Sequence, residues 1–243
     1  MASDESSTHS FHVSGEKLRA VLARDGFVRI AQAFSPEEVH PFQQACKRTV
    51  DLARAGKWPY FRTLPKQFPP WTDDVSQGIW GVQHLLHPDM PEKETFEKSH
   101  FGDTMVNAVT ALLQCSRDEL VLELCNMLVR PDRDFALRWH RDDMPGQVAV
   151  KMYPGDIGFY NNNILHRGVC DSKNERMTLH GTMGLVGTDT SRARNILQHG
   201  IGKWAADCGF SDLPPGMAQL ADGMKQRLLA MGQGHDGGYS QQD

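Results

Sequence analysis

Trp139-His140-Arg141-Asp142 sets a histidine and a carboxylate two residues apart at the end of a segment with β character. Residues i and i+2 of an extended chain project to the same side, so His140 and Asp142 can reach one metal ion. A second imidazole, His166, closes the later β-like segment Ile164-Leu165-His166. Two imidazoles and one carboxylate on one face of an octahedron leave three positions open, the arrangement that non-haem Fe(II) oxygenases use to take a chelating oxo-acid and then dioxygen. Arg176 stands ten residues beyond His166 at the start of another strand candidate. A guanidinium there can pair its planar fork with a carboxylate of such an oxo-acid.

The spacing alone has little weight. With 11 His and 20 Asp in 243 residues, roughly one His-x-Asp arises by chance, and a second copy stands at His87-Pro88-Asp89. That copy has Pro in the middle and follows no strand, so it reads as a loop histidine near an aspartate. Asp143 competes with Asp142, but only Asp142 shares a strand face with His140. Arg167 and Lys173 lie near enough in sequence to compete with Arg176. His84 and His180 are expected to be satisfied core or surface histidines. Cys170, four residues after His166, reads as an inert thiol rather than a nucleophile.

The elements that must position these residues follow from local pattern. Leu18, Val21 and Leu22 recur at helical spacing from Glu16 to Arg24, and Asp25-Gly26 ends that helix. Phe27-Val28-Arg29-Ile30 reads as a strand. Ser35-Pro36-Glu37-Glu38 carries an N-cap Ser, Pro at the first helical position and Glu at the third, which predicts a helix running to about Ala55. From Lys57 to Trp80 the chain is rich in Pro and aromatics and is expected to form an irregular, packed loop. Helical periodicity returns from Lys93 to Leu113. Strands are expected at Leu120 to Leu124, Phe135 to Trp139, Val148 to Met152, Ile157 to Tyr160 and Met177 to Val186, with turns at Pro145-Gly146, Pro154-Gly155-Asp156 and Asn161-Asn162-Asn163. The last 50 residues or so look helical before a Gly- and Gln-rich end. Helices first, strands in the middle and helix last predict an α+β fold with a largely antiparallel sheet. One domain over 15–232 is expected, between tails at 1–14 and 233–243.

Composition narrows the function classes. The 26 Lys+Arg against 30 Asp+Glu give a net charge of −4, which lacks the basic excess of a general nucleic-acid binder. No apolar run approaches the roughly 18 residues of a membrane span, and MASDESSTHS is polar where a signal peptide needs a basic start and an apolar stretch. The expected location is the cytoplasm and the expected partner a small-molecule substrate, with neither nucleic acid nor membrane. The carboxyl-terminal residues are not a Ser-Lys-Leu type address. Five scattered cysteines without a Cys-x-x-Cys favour buried thiols over disulfides or a zinc ribbon.

Several of these segments resemble one family. Glu123-Leu124-Cys125-Asn126, Phe135 through Asp143, and Pro154-Gly155-Asp156-Ile157-Gly158-Phe159-Tyr160-Asn161-Asn162-Asn163-Ile164-Leu165-His166-Arg167-Gly168 are similar to the phytanoyl-CoA dioxygenase family, as is the opening Asp25-Gly26-Phe27-Val28-Arg29-Ile30 with Ser35-Pro36-Glu37-Glu38. The resemblance runs from about residue 16 to 186. It implies a double-stranded β-helix, or jelly roll, backed by helices, and an enzyme that uses Fe(II), 2-oxoglutarate and dioxygen, mostly to hydroxylate an organic substrate. By resemblance His140, Asp142 and His166 match the iron ligands and Arg176 the residue that binds the distal carboxylate of 2-oxoglutarate, with Thr178 assisting.

One feature departs from that pattern. Only 25 residues separate His140 from His166, room for two strands and their turns, where the family has several more. Asp143 runs straight into Met144-Pro145-Gly146-Gln147, which reads as an internal deletion, an alternative splice form or a gene-model error, and implies an incomplete jelly roll. Two other readings stay open: a non-catalytic protein of the same fold without a complete substrate pocket, and a zinc hydrolase using the same three ligands.

Overall fold

In a computed structural model of the chain, residues 14–137, 150–161, 166 and 168–233 are described. His140, Asp142, the Asp143/Met144 junction and the Asn162-Asn163 turn residues lie outside them.

Helix α1 (Gly15–Asp25) is capped by Ser14, whose hydroxyl accepts from the Lys17 amide, and it stops where Gly26 turns left-handed (φ 76°). Strand β1 (Phe27–Ile30) follows. Helix α2 (Pro36–Arg54) opens with the predicted reciprocal cap: the Ser35 amide donates to Glu38 Oε2 at 2.8 Å and the Glu38 amide to Ser35 Oγ at 3.3 Å. Local chemistry decided these three elements, and they stand where the residues predict them.

The segment from Lys57 to Trp80 corrects an expectation. It holds strand β2 (Phe61–Thr63) and the start of strand β3 (Ile79–Val82), antiparallel to each other around a loop containing a short 3-10 turn. Phe61, Ile79, Trp80 and Val82 are buried. Pairing with strand β4 (Leu120–Val129) and burial of these apolar side chains override the weak local signal. The helix expected from Lys93 to Leu113 is two, α3 (Lys93–Phe101) and α4 (Asp103–Leu113). They break at Gly102, whose backbone is extended (ψ 155°) and approaches Lys98 O so closely that a Cβ would sit 2.5 Å from it.

Strands β5 (Phe135–Ala136), β6 (Ile157–Tyr160), β7 (Val169–Cys170) and β8 (Met177–Leu185) complete the β part. Of the strand expected at Val148 to Met152, the described residues 150–152 are not in a strand. The chain ends in α5 (Thr190–Ile196), a π-helical turn at Leu197–Ile201 and α6 (Pro215–Met231). None of the described helices is long and apolar enough to cross a membrane.

The architecture is α+β, and every strand pairing among the described residues is antiparallel. Among the described residues β2-β3-β4-β8 form a four-stranded sheet, while β1-β6 and β5-β7 are two-stranded pairs. The main core lies between the four-stranded sheet and the helices. Cys46 and Val50 of α2, Phe96 and Phe101 of α3, Val106 of α4 and Met224 and Leu228 of α6 meet Leu120, Leu122, Met127 and Val129 of β4 there. A smaller cluster, Leu18, Val28 and Ile30, joins α1 to β1. The five cysteines are unpaired with one another, and Cys46, Cys125, Cys170 and Cys208 are buried. Burial pushes the Cys46 and Cys125 thiols up to about 12, which leaves them unreactive near neutral pH.

Candidate active site

Strand β8 is the organising element. Its pairing with β4 sets Thr178 opposite Leu128 and His180 opposite Asn126, and the Arg130 amide donating to Arg176 O at 3.0 Å continues the ladder by one step. Arg176, Thr178 and His180 therefore alternate onto one face of the sheet, while Met177, Leu179 and Met183 pack against the main core from the other.

On the outer face Arg176 is held from three sides. Its Nε donates to Thr178 Oγ1 at 3.3 Å, and its Nη1 donates to Val169 O at 3.2 Å and toward Cys170 Sγ at 3.5 Å. Cys170 thus supports the arginine. Among the described residues no carboxylate pairs with Arg176. The guanidinium lies beside Gly168, where a Cβ would stand 3.9 Å from Nη1 and 3.4 Å from Leu137 Cδ1. Of the two competing cations, Lys173 is exposed in the turn before β8 and Arg167 is outside the described residues.

The pair β5-β7 sets the strand that precedes His140 and Asp142 in sequence alongside the strand that follows His166. Phe135 faces Cys170, Ala136 faces Val169, and the Leu137 amide donates to Gly168 O at 2.9 Å. His140 and Asp142 follow Leu137 by three and five residues, and His166 precedes Gly168 by two. Of the three, His166 is described: it is half-buried, and its ring lies 4.8 Å from that of Tyr160 at 52°. Among the described residues no three His, Cys, Asp or Glu side chains converge to hold a metal.

Two residues that the sequence reading set aside or missed belong to this face. Tyr160, at the end of β6, shares a hydrogen bond of 2.6 Å between its hydroxyl and His180 Nε2, with the two rings nearly parallel (12°) and end to end, centroids 6.2 Å apart. Burial raises the Tyr160 phenol above its ordinary value, so it keeps its proton at neutral pH. The start of β6 is fixed as well: Asp156 accepts from Arg29 Nε, the Gln32 amide and the Tyr153 amide at 2.7–2.9 Å. Gly155 before it is left-handed (φ 90°), where a Cβ would meet Phe34 O at 2.7 Å. The signal for His180 was present in the period of two from Arg176. Tyr160 carried no such signal, because its partner is twenty residues away on another strand.

Beyond Asn126 the row continues into buried aromatics. Asn126 Oδ1 accepts from the His84 amide at 3.0 Å, and the His84 ring meets Tyr60 edge-on at 4.7 Å and Trp204 at 5.9 Å. The His87-Pro88-Asp89 copy is a turn in which the Asp89 amide donates to His87 Nδ1 at 3.0 Å. Trp58, Phe61 and Trp80 are buried as packing side chains. A cleft of about 270 Å³ lined by Lys47, Val50, Asp51, Arg54, Glu175 and Met177 opens between α2 and the start of β8. Met177 points away from the Thr178 face, so this cleft is separate from the candidate site.

Burial of imidazoles has a measurable consequence. His84 is pushed down to about 4 by burial, then by nearby His87 and Arg62, and His100 is pushed down to about 4 by burial. Both are neutral in the fold, whereas in the unfolded chain they bind protons below about 6.5. The unfolded state therefore holds more protons between about pH 4 and 6.5, and stability falls as pH falls through that window. Denaturant unfolding at pH 6.5 and pH 5 should differ by roughly 1.5 kcal/mol for each of the two histidines, and a His100→Leu variant should show a shallower dependence.

No protein-family model matches the sequence, and no curated protein matches it. Among solved structures the chain is similar to AviO1 from Streptomyces viridochromogenes Tue57, at a TM-score of 0.49 and 13% identity, covering 68% of this chain and 90% of that one.

Proposed function

We propose that the protein is an Fe(II)- and 2-oxoglutarate-dependent dioxygenase of the phytanoyl-CoA dioxygenase type that oxidises, most simply by hydroxylation, a small organic substrate. The observation that carries this reading is Arg176. It is a guanidinium braced by Thr178 and Val169 and lying beside Gly168, which itself stands two residues after the candidate ligand His166, and it has no carboxylate partner among the described residues. An arginine so prepared fits a carboxylate brought by a ligand. The half-buried imidazole of His166 fits a divalent transition metal.

In this reading His140, Asp142 and His166 hold the iron, and Arg176 with Thr178 holds the distal carboxylate of 2-oxoglutarate. When bound, iron with 2-oxoglutarate and dioxygen supplies the oxidising chemistry, with 2-oxoglutarate leaving as succinate and carbon dioxide. The chain's own residues bind and orient. Arg176 Nε and Nη1 are engaged by Thr178 and Val169, which leaves the two Nη2 protons for a carboxylate. Thr178 accepts from Arg176 and so has its own hydroxyl proton to donate to the same carboxylate. Leu128 and Leu137 flank this pair with apolar surface, which strengthens the ion pair by excluding water. The antiparallel pairs β1-β6 and β5-β7, set beside the four-stranded sheet, are read as parts of a jelly roll.

The test is turnover of 2-oxoglutarate without substrate. After anaerobic loading with Fe(II), the wild-type chain should form succinate on admission of oxygen, and a His140→Ala variant should fall to the background without protein. Equal rates in the two would leave the non-catalytic reading standing, and zinc retained after iron loading would favour the hydrolase.

A further inference from the structure

We infer that Tyr160 is a positioning residue that fixes the ring of His166, and that His180 fixes Tyr160 in turn. This deepens the proposed function and rests on His166 being a metal ligand. The β1-β6 pair and the four-stranded sheet are separate ladders among the described residues, and the Tyr160–His180 hydrogen bond of 2.6 Å ties one to the other. The anchor end is rigid. His180 lies within the nine-residue strand β8, opposite Asn126, which is itself buried and committed to the His84 amide. The other end is the phenol ring, which lies nearly parallel to the His180 ring (12°) but end to end with it across the hydrogen bond, centroids 6.2 Å apart, and which meets the His166 ring 4.8 Å away.

A hydroxyl tethered to His180 fixes the long axis of the ring, so Tyr160 cannot swing away from His166 without breaking that hydrogen bond. Metal affinity depends on that kind of support, because a ligand that must be ordered on binding loses free energy in doing so. The hydroxyl is engaged by His180. Its effect is therefore transmitted through ring placement, and it is expected at the lower end of the 10–100-fold range typical of groups behind a metal ligand.

The test is Co(II) affinity, followed by visible absorption and by calorimetry, with Tm measured alongside. Tyr160→Phe and His180→Leu should each weaken Co(II) binding about tenfold, and the double variant should be no weaker than either single, since both remove one contact. His180→Gln, which can still hydrogen-bond the phenol, should recover most of the affinity. If Tyr160→Phe and His180→Leu lower Tm and leave Co(II) affinity and spectrum unchanged, the pair is only a structural clasp and the inference is wrong. If wild type binds no Co(II), or His166→Ala binds it equally well, the proposed function fails and takes the inference with it. Loss on His166→Ala with no change on Tyr160→Phe overturns the inference alone.

Discussion

An Arg176→Leu variant should lose roughly 100- to 1,000-fold in affinity for 2-oxoglutarate. A charge-assisted hydrogen bond contributes about 1.5–3 kcal/mol, and loss of the Nη2 hydrogen bond together with the hydrogen bond from Thr178, which Arg176 orients, reaches about 3–4 kcal/mol. The site concentrates that effect. Thr178 and Val169 hold the fork before any ligand arrives, so little side-chain entropy remains to be lost on binding. Arg176→Lys should restore the charge but not the fork, recovering only part of the affinity. Because Arg176 also ties Val169 and Cys170 of β7 to β8, Arg176→Leu should lower stability by about 1 kcal/mol. Thr178→Val separates the two effects: it removes one hydroxyl and should weaken 2-oxoglutarate binding about tenfold with little change in Tm. Calorimetric titration of the Fe(II)-free or Zn(II)-loaded protein reads the affinity directly, and an Arg176→Leu affinity within threefold of wild type would remove the arginine from the site.

The second large effect is on stability and lies at the other end of the same strands. Glu123 on β4 has a side chain only 3% exposed, and Arg192 of α5 grips it with both Nε and Nη2. Replacing Arg192 by Leu strands a carboxylate under the helix. Breaking a buried pair from one side costs about 3–5 kcal/mol, and the lower figure applies because the Arg192 side chain is 43% exposed. For a domain of this size about 3 kcal/mol corresponds to a fall in Tm of about 6–12 °C. Replacing both residues, Glu123→Leu with Arg192→Leu, should return most of the loss, since no charge is then left buried. Gly184 makes room for the pair: a Cβ there would stand 2.7 Å from Glu123 Oε1, so Gly184→Ala should also be destabilising. A Tm for Arg192→Leu within 2 °C of wild type would mean that water reaches Glu123 freely.

The residues differ in how far their roles were legible in sequence. Ser35 and Glu38 form their reciprocal cap because both partners lie within one turn of helix, and the same holds for Gly26 at the end of α1. Strands β1, β6 and β8 were legible from runs of apolar and β-branched residues. Strands β2 and β3 were not, because the Pro- and aromatic-rich stretch that holds them has no period of its own and pairs only when β4 is present. The break at Gly102 was hidden because a single glycine is compatible with a continuous helix, and the choice was made by how α3 and α4 each bury an apolar face.

The candidate site divides in the same way. Sequence alone determined which residue types were available and that Arg176, Thr178 and His180 would share a face, since that follows from the period of a strand. Tertiary structure decided that Arg176 is braced by the carbonyl of Val169 across a turn, and that Tyr160 from the β1-β6 pair reaches His180 on the central sheet. The physical reason is range. Caps and alternation are set by interactions over a few residues, whereas strand pairing and ring contacts between separate ladders depend on where the whole chain is brought by burial of its core.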